Sequence, residues 1–189
     1  MSVTAANARV EARRERLIDA AQAVFVREGL RGASMERIAA EAGVARATAY
    51  AYFADKEDAF RQVAGRLAEQ MVDSVEAALT GPGAAAARIR GALQAKHEMT
   101  FHVAKQSPFA ADLFAAKDRL AGPVFAAAEQ RIVAALARAL AELGVADPGA
   151  AAQTMLAAST GVANCATDIG TISARLALLA EAMVRGLVA

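Results

Sequence analysis

Few side chains in this sequence are placed to do chemistry, and the best placed of them suit a phosphate rather than a reaction. Lys56 falls at the start of a predicted helix, directly behind the capping residue Asp55. The helix macrodipole favours anions there, so a cation is slightly misplaced. Two arrangements resolve the mismatch: a phosphate held by Lys56 and the free amides of that terminus, or a solvated pair with Glu57 or Asp58. Ser34 stands at another predicted helix start, where a capping hydroxyl contributes ~1 kcal/mol. His97-Glu98 with His102 offers the residue types of a zinc protease, but the two histidines are five positions apart, about 140° around a helix, where the chemistry needs one face. No metal site follows. Cys165 is the only cysteine, which excludes an internal disulfide and a cysteine-built zinc site. With no basic partner near it in sequence, it reads as a small buried hydrophobe, a redox-sensing thiol being the alternative. There is no glycine-rich phosphate loop and no nucleophile elbow, so neither catalysis nor a cofactor is expected.

The elements that must position these groups are helices. Of the 189 residues 56% are hydrophobic and 22% charged, which is enough apolar material for one core or one core with a small attached domain. Apolar residues recur at helical spacing and no segment alternates as a strand would. The expected fold class is all-α, with about nine helices. Gly29 followed by Leu30 and Gly43 followed by Val44 suit left-handed helix stops. The second helix, capped by Ser34, turns Met35, Ile38, Ala39 and Ala42 inward. A third runs from about Ala45 to Phe53. Asp55 opens a long fourth helix with Phe60, Val63, Leu67, Met71, Val75 and Leu79 on its apolar side, ended by Thr80-Gly81-Pro82-Gly83. A fifth follows, a sixth is opened by Ser107-Pro108, a seventh starts near Pro123 and stops at Gly144, an eighth starts at Asp147-Pro148, and a ninth carries the last apolar repeat.

The stretch from Ser34 to Phe53 is the informative one. Two short helices are joined by Glu41-Ala42-Gly43-Val44, with the small Ala39 four positions before the glycine. A helix-turn-helix needs a small residue where its helices cross closely and a glycine where the turn demands freedom, although any tight helical hairpin shares these features. The surrounding residues add Arg16-Leu17-Ile18-Asp19-Ala20-Ala21, Phe25, Gly29, Thr48, Tyr50, Tyr52-Phe53 and Lys56-Glu57. Over about residues 13–60 this pattern resembles the N-terminal signature of the TetR family of bacterial transcription regulators. The resemblance implies a DNA-binding domain over residues 1–54, made of the first three helices, and an effector-binding and dimerisation domain over 55–189. It places Thr48, Tyr50 and Tyr52 against phosphates, with Arg46 where a lysine is frequent and Ser34, Met35 and Lys56 at helix ends that meet the DNA. Thr48 and Tyr52, four apart, share a helix face, whereas Tyr50 points elsewhere. Phe53 reads as core.

What else the resemblance implies is a cytoplasmic homodimer, double-stranded operator DNA as partner, repression as the commoner mode, and release by an unidentified small-molecule effector. The effector pocket is expected among the middle helices, with His97, Met99, Phe101, Phe109, Phe114 and Phe125 as candidate lining. Leu93, His97 and Phe101 form one apolar stripe, and Ala92, Met99 and Val103 another, so this helix is either buried or lines a cavity. The dimer is expected at the last two helices: Leu156 and Gly161 on one, Leu176, Leu179, Met183 and Leu187 on the other, after the pattern of a four-helix bundle. The alternative is that both helices only cover the chain's own core. A net charge of +1 predicts no partner. Arg9, Arg13, Arg14 and Arg16 could serve as an N-terminal arm on DNA or, interleaved with Glu11 and Glu15, as a solvated helix face. No membrane span or leader is expected: the longest uncharged window, Pro148 to Thr167, carries Gln153, Thr154, Ser159, Thr160 and Asn164 among its alanines.

Where the family has a serine, a glycine, a larger aliphatic and a polar or aromatic residue, this chain has Ala45, Ala47, Ala49 and Ala51. Four alanines shrink the hydrogen-bonding surface of the third helix. Readout then leans on phosphate geometry, thymine methyl groups and DNA shape, and a helical small-molecule-binding protein with weak or lost sequence-specific DNA binding is the competing reading. Exchanging bases at the operator centre is expected to change affinity less than changing the half-site spacing does, as an anisotropy titration of variant operators checks.

Overall fold

Glycine and capping residues cut the chain as their chemistry requires. In the computed structural model, which describes residues 2–188, the elements are α1 (Ser2–Gly32), α2 (Met35–Glu41), α3 (Arg46–Tyr50), α4 (Lys56–Thr80), α5 (Ala85–Gln106), α6 (Ala110–Ala141), α7 (Pro148–Asn164) and α8 (Ile169–Val188). There is no strand among the described residues. The helical path of α1 breaks at Gly29, whose φ of 69° and ψ of 172° lie in a region open essentially to glycine alone. The end of α2 is a Schellman stop, with the Val44 amide donating to Ala39 O at 3.0 Å and the Gly43 amide to Ala40 O at 3.1 Å. Side-chain caps begin α2, α4 and α7 as read from sequence: Ser34 Oγ accepts from the Arg37 amide, Asp55 from Asp58, and Asp147 from Ala150.

Eight helices form among the described residues where about nine were expected, because Pro123 does not divide the chain: it sits inside α6. Proline removes only its own N–H from the ladder. Pro123 is exposed, so the carbonyl left without a helical partner can turn to water. Of the two readings open for the N-terminal arginines, the structure has the helix face. Arg9, Arg13, Arg14 and Arg16 lie on α1 itself, with Arg14 bonded to Gln62 and paired with Glu11. A helix in register with the core cannot trail into a minor groove as an extended arm does.

The chain divides into two compact units. One holds the residues up to Leu67 together with Val103–Val124, the other Ala68–His102 and the residues from Phe125 onward. The expected domain boundary between Ala54 and Asp55 is therefore not the boundary of compactness. In the first unit Leu17, Ile18, Val24, Phe25, Ile38, Ala49, Phe53 and Phe60 are buried, and Phe25 meets Phe60 edge-to-face with centroids 5.4 Å apart. Arg66 ties α4 to α1 by reaching Asp19 at 2.6 Å, Gln22 at 2.6 Å and Glu15 at 3.3 Å.

The second unit is built on Val72, Val75, Ile89, Leu93, Ile132, Leu136, Leu140, Met155, Ile172 and Leu176. By length and composition α6 would pass for a membrane span. One such helix is weak evidence of a span, and within this unit its Ile132, Leu136 and Leu140 are fully buried. Two dimer residues read from sequence are corrected here: Leu156 and Leu176 are buried among these core side chains. The repeat Ile172, Leu176, Ala180, Val184 is the inward stripe of α8, so the residues free for a partner lie a quarter to a half turn away. Leu176→Ala is expected to lower unfolding stability by about 2–5 kcal/mol, as urea titration followed by circular dichroism checks.

Candidate nucleic-acid interface

The turn after α2 fixes the placement of α3. Ala39 is 3% exposed and Ala49 fully buried, so two small side chains mark where α2 and α3 press together, and Phe53 anchors the far end. The opposite face of α3 is open: Arg46, Ala47 and Tyr50 are exposed, while Thr48 and Tyr52 are half-buried. The helix ends at Tyr50, short of the expected Phe53, so Tyr52 lies in the turn beyond it and does not share a helix face with Thr48. Ala45 holds an extended cap conformation with no side-chain bond to the amides behind it.

Arg46 is engaged within the protein. Its guanidinium reaches the Glu36 carboxylate at 2.8 Å and the Tyr50 hydroxyl at 3.4 Å, and it lies 5.4 Å from the centre of the Tyr50 ring. The bond to Tyr50 and then the charge of Glu36 raise the Arg46 pKa. Glu36 is held below the ordinary carboxylate range, first by its own backbone amide, then by Ser34 and the charge of Arg46. Exposed pairs of this kind contribute little in water, so an incoming phosphate can take the arginine. Sequence reasoning missed Glu36: it precedes Arg46 by ten residues across a turn, beyond any helical-pair rule.

Two expected contacts are placed elsewhere. Met35 is 4% exposed; as the first residue of α2 it anchors that helix, and its side chain does not reach the surface. Lys56 fulfils neither arrangement foreseen for it. Its ammonium donates to Leu30 O at 3.1 Å, Ala33 O at 3.3 Å and Arg31 O at 3.4 Å. The cation at the start of α4 thus faces the carbonyls that end α1, where the macrodipole is negative, and the mismatch disappears without a phosphate.

The candidate effector residues belong to both units. Phe109, 42% exposed, and the half-buried Phe114 lie in the first; His97, Met99, Phe101 and Phe125 lie in the second. Met99, Phe101 and Phe125 pack on the second unit's core. His97 is 4% exposed and its Nε2 lies 2.9 Å from Ser159 Oγ. That hydroxyl donates its own proton to Leu156 O at 2.7 Å, which leaves Nε2–H as the donor to the serine and assigns the neutral tautomer. His102 is exposed and does not join it. Cys165 overturns its expectation as well: it is exposed at the C-terminal cap of α7.

A buried two-helix corner bearing an exposed, cation-carrying helix defines a helix-turn-helix DNA-binding domain. Residues 17–63 match the family model described as bacterial regulatory proteins, tetR family. Solved structures of similar fold include a transcriptional regulator from Cytophaga hutchinsonii, 19% identical with a TM-score of 0.76 over 93% of this chain and 98% of that one. A TetR-family transcriptional regulator from Pectobacterium atrosepticum is 24% identical, with a TM-score of 0.69 over 95% and 96%. A TetR-like transcriptional regulator from Rhodococcus sp. RHA1 is 23% identical, with a TM-score of 0.64 over 93% and 95%. No curated protein matches the chain. Residues 17–63 are thus similar to the N-terminal domain of TetR-family regulators, and the fold of the chain is similar to that of the regulators just named.

Burial, and then the charge of Lys96, lower the His97 pKa to about 4 from an ordinary 6.5. A depressed histidine pKa means that the unfolded chain binds the extra proton first. The neutral His97 therefore favours the fold fully above pH 6.5, and that contribution, up to about 3 kcal/mol, is lost as pH falls from 6.5 towards 4. Urea midpoints measured across that window should fall, and His97→Gln should flatten the fall.

Proposed function

We propose that the chain acts as a homodimeric repressor that reads a palindromic operator with α3 and is released by a small-molecule effector in the bacterial cytoplasm. The observation that carries the reading is the exposed face of α3, where Arg46 and Tyr50 stand beside the half-buried Thr48 and Tyr52 on a rigid two-helix corner. Such a helix suits the major groove, and two of them about one DNA turn apart suit a two-fold operator. For the second copy, α7 and α8 offer Gly161 and Ala157 beside Leu178, which is 69% exposed. Leu179, Met183 and Leu187 flank that surface as half-buried residues. A cytoplasmic regulator of this kind needs neither a cofactor nor a metal.

Lys56 contributes to DNA binding by holding the corner in place rather than by touching phosphate. Ser34 keeps its double part, since a capped helix start of this kind also presents amides to an anion. The effector is expected to be apolar in the main, in keeping with Met99, Phe101 and Phe125.

The decisive experiment is an anisotropy titration with DNA from upstream of the protein's own gene against random DNA, over a range of salt. Affinity for a palindrome that exceeds random binding by about a thousandfold or more and falls steeply with salt is the expected result. Tyr50→Ala should weaken operator binding without altering the dimer mass by light scattering. Equal affinity for random DNA at every salt concentration would favour the small-molecule-binding alternative.

A further inference from the structure

The break at Gly29 leaves a short turn, Gly29–Ala33, directly before the Ser34 cap of α2, and this turn is held from two sides. Asp112, in the first turn of α6, takes its amides: Oδ2 accepts from the Leu30 amide at 2.9 Å and the Arg31 amide at 3.4 Å. Its other oxygen meets Arg31 Nε at 3.3 Å. Lys56 takes the carbonyls of Leu30, Arg31 and Ala33. Close by, Ser107 Oγ donates to Val26 O at 2.7 Å and accepts from the Phe109 amide at 3.0 Å. The start of α6 is thereby fastened to the last full turn of α1. The fit allows no slack: a Cβ on Gly29 would lie 3.0 Å from Asp112 Oδ2 and 3.0 Å from Phe109 Cβ.

We propose that Asp112 is a positioning residue for DNA recognition, fixing α2 and α3 by gripping the turn that precedes them, so that any shift of the α5–α6 junction changes operator affinity. The proposal rests on the regulator reading above. Only Ser34 separates the gripped turn from α2, and the Schellman stop passes the placement of α2 on to α3. With Asp112 gone, two amides lose a charged acceptor and α6 loses its hold on the turn, while Lys56 still holds the carbonyls. The domain then folds with its recognition helix less firmly placed. Asp112 itself lies eighty-two residues from Leu30 in the chain and belongs to the same compact unit.

The test compares Asp112→Ala, Asp112→Asn and the unaltered chain, well below their melting temperatures. Operator affinity is read by anisotropy, dimer mass by light scattering, and amide exchange by mass spectrometry. Asp112→Ala is expected to bind the operator about tenfold more weakly, with unchanged mass and with faster exchange at Leu30, Arg31 and α2. Asp112→Asn keeps an acceptor and loses only the charge, so its affinity should fall between the two. Faster exchange at Leu30 and Arg31 with operator affinity unchanged in Asp112→Ala would overturn the positioning role and leave the regulator reading standing. An unaltered chain with no preference for its operator would overturn both.

Discussion

A helix that stops inside a protein leaves its last carbonyls and the amides of the following turn without partners, and how these are satisfied decides what the rest of this DNA-binding unit can do. At Gly29 the backbone leaves the helical region in a conformation that a side chain would not tolerate. The groups released there are taken up by two opposite charges, the Lys56 ammonium on the carbonyls and the Asp112 carboxylate on the amides. Charge-assisted bonds of this type contribute ~1.5–3 kcal/mol each, against ~1 kcal/mol for neutral ones. The turn is thus among the better fixed parts of the unit, although it is a single turn after the kink and not fully buried.

Rigidity there has a use because the recognition helix has so little of its own. α3 is five residues long, lacks a side-chain cap and has alanine at two of its positions. An isolated segment of that length has no helical stability in water. Its shape comes from Ala49 and Phe53, which are wholly buried against the unit's core, and from the Schellman stop that delivers the chain to Ala45. The cation–π contact between Arg46 and Tyr50 and the pair with Glu36 lie on the outer face and add order there. They can be exchanged for phosphate contacts, since exposed pairs are weak and easily screened.

Much of this was legible in the sequence, and the parts that were not share a cause. Stops at Gly29, Gly43 and Gly144, caps at Ser34, Asp55, Asp147, and the inward faces of α2 and α4 follow from local rules, and the structure has them. Pro123 misled because a breaker rule takes no account of a helix stabilised on its other face. Leu156 and Leu176 misled because an apolar stripe does not say whether it meets its own core or a second copy. Cys165 misled because composition favours burial while its position at a helix end does not. Glu36 and Asp112 were invisible for a plainer reason: each acts on a group brought near only by the tertiary fold, Asp112 across eighty-two residues of chain.

The fate of Lys56 shows how a sound local argument can name the right misfit and the wrong remedy. A cation at a helix start is misplaced, and the sequence offered a phosphate or a neighbouring carboxylate to correct it. The fold supplies the negative end of another helix. That answer also accounts for the residue type: an ammonium has three donors and can serve several carbonyls at once, whereas a planar guanidinium cannot converge on them in the same way. In the proposed reading, recognition of DNA is built in two layers: Arg46 and Tyr50 face outward, and behind them Lys56 and Asp112 hold the turn that precedes α2.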